Sequence, residues 1–75
     1  MLNRLNKTIL EVKEKITSEN NKVGYYLGKI DFLEGYTSEL DNEFRDGYRK
    51  LVDGLEDNIK LLQEELARLE YILNG

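Results

Sequence analysis

An all-α fold follows from three features of this chain: a helical hairpin or three-helix bundle with coiled-coil-like heptad packing, self-associating. Apolar residues recur at alternating steps of three and four through most of its length, the spacing that puts them on one face of a helix packed nearly parallel or antiparallel to another. There is no proline in 75 residues, which suits long uninterrupted helices. Opposite charges four residues apart (Glu11 and Lys15, Glu56 and Lys60, Glu64 and Arg68) favour helix on the wet side.

The chain reads as a single helical domain over residues 1–75. Helix A, about 2–18, carries Leu2, Leu5, Ile9, Val12 and Ile16. The polar run Ser18-Glu19-Asn20-Asn21, rich in residues that prefer caps and turns, predicts its end. Helix B, about 22–45, carries Val23, Tyr26, Ile30, Leu33, Thr37, Leu40 and Phe44. Beyond Phe44 the apolar steps become four and four, to Tyr48 and Val52, and Asp46-Gly47 sits inside the slip. Asp-Gly is a turn signal and Asp46 a good N-cap, so helix C is expected at about 47–74; a stutter absorbed by one helix continuous with B is the alternative. The C-terminal stripe runs Val52, Leu55, Ile59, Leu62, Leu66, Leu69, Leu73. It outlasts helix A, leaving leucines that call for cover from a second copy.

Composition excludes much chemistry. With neither cysteine nor histidine there is no disulfide framework, no imidazole base and no Cys/His metal site. No apolar run reaches the roughly 18–20 residues of a membrane span, and the charged N-terminus does not read as a signal peptide, so a cytoplasmic protein with no membrane partner is expected. A net charge of −4 argues against binding a nucleic-acid duplex. The charge is most negative in residues 23–46, six acids against two bases, which could suit a basic partner; the plain reading is a solvated helix face.

Helix B shows a second apolar face, Tyr25, Gly28, Phe32 and Gly35/Tyr36. A mid-helix glycine costs about 1 kcal/mol relative to alanine. Gly28 and Gly35, with Phe32 and Tyr36 beside them, therefore predict close approach of a helix or ligand to bare backbone. The plain alternative wedges the helix between two neighbours; the functional one is a shallow groove with Tyr25 and Lys29 at its wall. A second cluster is Arg45, Gly47, Tyr48, Arg49 and Lys50. If a helix begins at Asp46, free amides beside arginines and a tyrosine suit an anion or a nucleotide. Tyr25, Lys29, Arg45, Tyr48 and Arg49 are accordingly the candidate ligand residues.

For catalysis only carboxylates, lysines and tyrosines remain. Glu11-x-x-Glu14 and Glu43-x-x-Asp46 have a superficial likeness to the paired acids of all-α nucleoside-triphosphate pyrophosphatases. The first pair lacks the adjoining acid, because Leu10 stands there, and chance spacing among 15 acids accounts for both. No glycine-rich phosphate loop occurs, and no enzyme activity, metal or cofactor is expected.

The run Tyr25-x-x-Gly28-x-x-x-Phe32-x-x-Gly35-Tyr36-x-x-x-Leu40 resembles a pattern in small helical proteins of phages and mobile elements of low-GC bacteria. That resemblance implies a non-catalytic binding protein: a phage-type inhibitor, acting in the host cytoplasm, that sequesters a host defence factor or a small signalling nucleotide. The competing expectation is an adaptor coiled coil whose partners are helices, its own copies included.

Overall fold

A computed structural model describes residues 2–75, which form two long helices packed side by side: α1, Leu2–Leu33, and α2, Glu39–Asn74. The result is an antiparallel helical hairpin 56 Å long and 14 × 13 Å across. Its length is that of α2 itself, 36 residues at about 1.5 Å each.

The seam between the helices follows one unbroken heptad rhythm on each side. On α1 the seam positions, all buried or half-buried, are 5, 9, 12, 16, 19, 23, 26, 30 and 33, with Thr8 half-buried beside them. On α2 they are 41, 45, 48, 52, 55, 59, 62, 66, 69 and 73, with Glu65 and Glu70 half-buried at its edges. Ile9, Val12, Ile30, Val52 and Ile59 form the buried core, every one β-branched. The leucines of the seam are only half-buried, since each helix has one neighbour to cover it.

Three expected features are corrected. The break at Ser18–Asn21 does not occur: α1 runs through it. Ile16 and Val23 are one heptad apart, and Glu19 occupies the seam position between them, half-buried, 3.5 Å from Lys22. Packing along the seam outweighs the weak helix propensity of two asparagines and a serine, roughly half a kcal/mol each. The break at Asp46-Gly47 does not occur either, so α2 spans the predicted end of helix B and start of helix C. The chain turns instead at Glu34–Ser38, inside the predicted helix B.

That turn has its own local chemistry. Ser38 is the N-cap of α2, extended at φ −66° and ψ 155°, and its hydroxyl accepts from the Asp41 amide at 3.1 Å. The same hydroxyl donates to the Asp41 carboxylate. With Glu39 and Asp41 in the first turn, the acids complement the positive end of the helix dipole. On the other side, the Glu34 amide bonds Asp31 O at 3.2 Å and the Tyr36 amide bonds Leu33 O at 3.0 Å, tightening the end of α1. The helical ion pairs formed among the described residues are Lys22–Glu19 and Arg49–Asp46, both at i,i+3; the expected i,i+4 pairs are not closed.

Candidate functional site

Arg45 sits in the seam at the turn end, where a hydrophobic residue would continue the stripe. One of its guanidinium nitrogens, Nη2, donates to Leu33 O at 3.2 Å, Tyr36 O at 2.8 Å and Asn42 Oδ1 at 3.0 Å. Two of these acceptors are carbonyls at and just beyond the end of α1, of which Leu33 O also accepts from the Tyr36 amide, so a cation placed there also meets the negative end of the α1 dipole. α1 has no basic residue in its own last turn, and Arg45 supplies one from α2. Its Nε is buried without a partner. Arg45, a candidate anion ligand by sequence, is thus the clasp of the turn.

Of the other four candidates, Lys29 and Tyr48 line one groove and Tyr25 stands against Lys29, whereas Arg49 is not part of that lining. The Tyr48 ring stacks on Tyr26 across the seam, centroids 5.7 Å apart. Arg49 lies exposed, 3.8 Å from Asp46. Lys29 Nζ stands 5.2 Å from the centre of the Tyr25 ring. A helix does not start at Asp46, so the amides of Gly47–Arg49 lie inside α2 rather than free at its end. The anion site expected there loses its donors.

The glycines also stand differently from expectation. A Cβ on Gly28 or Gly35 would meet nothing within 4 Å, so no part of the hairpin approaches the backbone there. Neither has a positive φ. Phe32 and Tyr36 pack on each other, centroids 5.6 Å apart, and both are exposed.

What the fold does assemble is an aromatic surface on one side of the turn end. A groove of about 220 Å³ runs between the helices, lined by Lys29, Phe32 and Leu33 of α1 and Phe44 and Tyr48 of α2. Next to it a hollow lies over the bare backbone of Gly47, walled by Phe44, Tyr48 and Leu51. A hollow of the kind expected at Gly28, floored by backbone and walled by aromatics, is therefore present over a different glycine.

Sequence reasoning missed Phe44, Leu40 and Leu51 as surface groups because it assigned the first two to the core. With the chain turning at Glu34–Ser38, the seam restarts one position later, on Asp41 and Arg45. Leu40 and Phe44 rotate to the outside, 59% and 52% exposed. The slip from Phe44 to Tyr48 to Val52 was the signal: it marks two frames on one helix, one facing α1 and one facing away.

The acid pairs Glu11/Glu14 and Glu43/Asp46 are separated along the hairpin. The groove at the turn joins Phe44 to Phe32, whereas Ile9 and Leu10 line a cleft with Glu70 and Leu73 at the opposite end. Among the described residues no group of three or more carboxylates is placed to hold a metal ion. No described helix is long and apolar enough to cross a membrane. No protein-family model matches the chain, and no curated protein or solved structure matches it.

Proposed function

We propose that this chain is a non-catalytic helical binding protein that works through its exposed turn-end surface, in the manner of a small phage-encoded inhibitor acting in a host cytoplasm and associating with its own copies. The observation that carries this is the groove lined by the exposed Phe32 and Phe44 together with Lys29, Leu33 and Tyr48, with the exposed Tyr36 packed on Phe32 and the exposed Tyr25 against Lys29. Aromatic rings with a polar edge supply much of the energy of protein recognition, because they bury large area with few rotors to freeze. Ring faces held outward at a rigid turn suit the docking of an apolar segment of another protein.

Of the two targets that the resemblance implies, a host factor fits this surface better than a nucleotide. Phosphate recognition needs cations and donors converging on one point. Here Arg45 is engaged by the turn, Arg49 is paired with Asp46, and Lys29 alone borders the groove. The adaptor reading shares this surface and differs in its partner, another helix.

The test is a photoreactive side chain placed at Phe32 and, separately, at Asp57 on the exposed polar face of α2, in a bacterial host. Adducts to a defined host protein from the first position and not the second support the reading. Equal labelling from both, together with nucleotide binding seen by calorimetry, would replace the protein target with a small ligand.

A further inference from the structure

Along α2 runs a second heptad stripe outside the seam: Leu40, Phe44, Gly47, Leu51, Gly54, Asn58, Leu61, Glu65, Arg68 and Ile72, all exposed except the half-buried Glu65. Its five large apolar members are 49–64% exposed. The opposite flank of α2, by contrast, carries Asp46, Arg49, Asp53, Glu56 and Lys60 and is polar throughout. Among the described residues no element covers the apolar stripe.

We propose that the stripe is covered by a second copy of this chain, α2 against α2 and antiparallel, with the twofold axis at the level of Glu56. Two observations commit the occupant. The first is self-complementarity. Folding the stripe back on itself about residue 56 sets Leu40 against Ile72, Leu51 against Leu61 and Gly54 against Asn58. It sets Phe44 against Arg68, and Glu65 opposite Gly47. Apolar residues meet apolar residues at both ends and near the centre, a glycine faces a larger side chain twice, and the remaining pair is an arginine on an aromatic ring. An isologous contact requires such a match, residue i with j and j with i. The second is area. The hairpin exposes 5898 Å². A compact monomer of its mass is expected to expose about 4,800 Å², and the excess of about 1,100 Å² exceeds the roughly 800 Å² per partner of a standard interface.

The dimer also alters the groove at the turn. Arg68 of the second copy arrives at Phe44, beside the hollow over Gly47, so each groove gains a cation from the other chain. Two identical grooves, each bordered by Lys29 and a borrowed Arg68, then face the same side near opposite ends of the α2 pair. The inference deepens the proposed self-association and leaves the docking at Phe32 independent: a monomer would defeat the dimer without touching the photo-crosslinking result.

The chain has no cysteine, so single cysteines report the geometry cleanly. Leu51→Cys and Leu61→Cys are prepared separately, oxidised alone, and then oxidised as a mixture. The expected result is a disulfide-linked dimer from the mixture and little from either alone. In parallel, sedimentation equilibrium at tens of micromolar should give twice the 8.8 kDa chain mass for the unaltered protein. Leu61→Glu, at one of the most exposed positions of the stripe, should give the single-chain mass with an unchanged circular-dichroism spectrum. An unaltered protein sedimenting as one chain overturns the proposal and leaves the stripe to a foreign partner. Self-linking of Leu51→Cys in preference to the mixture overturns the antiparallel register, and so does a Leu61→Glu protein that remains folded and dimeric.

Discussion

Ser18–Asn21 and Glu34–Ser38 are two polar stretches of similar size on the same chain, yet the first stays helical and the second reverses it. Local propensity does not separate them. Both hold residues that weaken helices, and the first has two consecutive asparagines. What separates them is the frame. Across the first stretch the seam positions 16, 19 and 23 continue without a slip, so α1 keeps its face on α2 by running straight through. Across the second, the frame of α1 ends at Leu33 and that of α2 opens on Asp41. Ser38 satisfies the amides of the new helix and Arg45 satisfies the carbonyls of the old one. A polar stretch ends a helix here when it carries caps on both sides, and is absorbed when it carries only poor propensity.

Removing the clasp should have the largest effect on this contrast. Arg45→Ala deletes a charged donor from three acceptors and leaves the Tyr36 carbonyl without its donor, for an expected loss of about 2–3 kcal/mol. At about 4–8 °C per kcal/mol for a domain of this size, thermal unfolding should fall by about 8–24 °C. A shift under about 3 °C would mean that water replaces the guanidinium without loss and the clasp is incidental.

Ser38→Ala tests the other cap. The Asp41 amide loses its acceptor, and the expected cost is about 1 kcal/mol by urea denaturation. Ser18→Ala is the matched control. Ser18 caps nothing, and alanine should raise stability slightly. Equal losses at the two serines would erase the distinction drawn between the stretches.

Glu19→Leu asks whether the first stretch belongs to the seam. Glu19 is half-buried at a heptad position, and its contact with Lys22 at 3.5 Å is a surface pair worth little. A leucine there should stabilise the hairpin by about 1 kcal/mol through apolar burial. Destabilisation would place residue 19 outside the seam.

The smallest effect is expected on the outer face. Asn21→Ala should add about half a kcal/mol through helix propensity alone. Gly28→Ala should add somewhat more, since the new methyl meets nothing within 4 Å. Hydrogen exchange provides an independent reading: amides of residues 18–21 should be protected like their helical neighbours, whereas those of the turn should exchange early. Fast exchange at 18–21 would show that the frame does not hold the stretch closed.

The sequence by itself determined that this chain is helical, that its seam has heptad spacing, and that it cannot use imidazole or thiol chemistry. These properties belong to single residues or to spacings within one helix. Even the helicity of 18–21 was legible, in the seven-residue step from Ile16 to Val23, though the polar composition between them pointed the other way. The tertiary structure alone decided where the chain turns, because that depends on which of two overlapping frames on residues 40–52 meets α1. Leu40–Phe44–Tyr48 and Asp41–Arg45–Tyr48 are both helical stripes, and by composition the first is the better core. The second faces α1, since Arg45 at that position reaches the carbonyls of Leu33 and Tyr36, bonds between residues 12 and 9 positions apart that no local pattern encodes. That choice sent Phe44 and Leu40 outward and engaged Arg45 in the turn. The aromatic groove therefore lies over α2 and Gly47 rather than around Gly28, because a frame shift of one position turns a helix by about 100° and exchanges what is buried for what is offered to a partner.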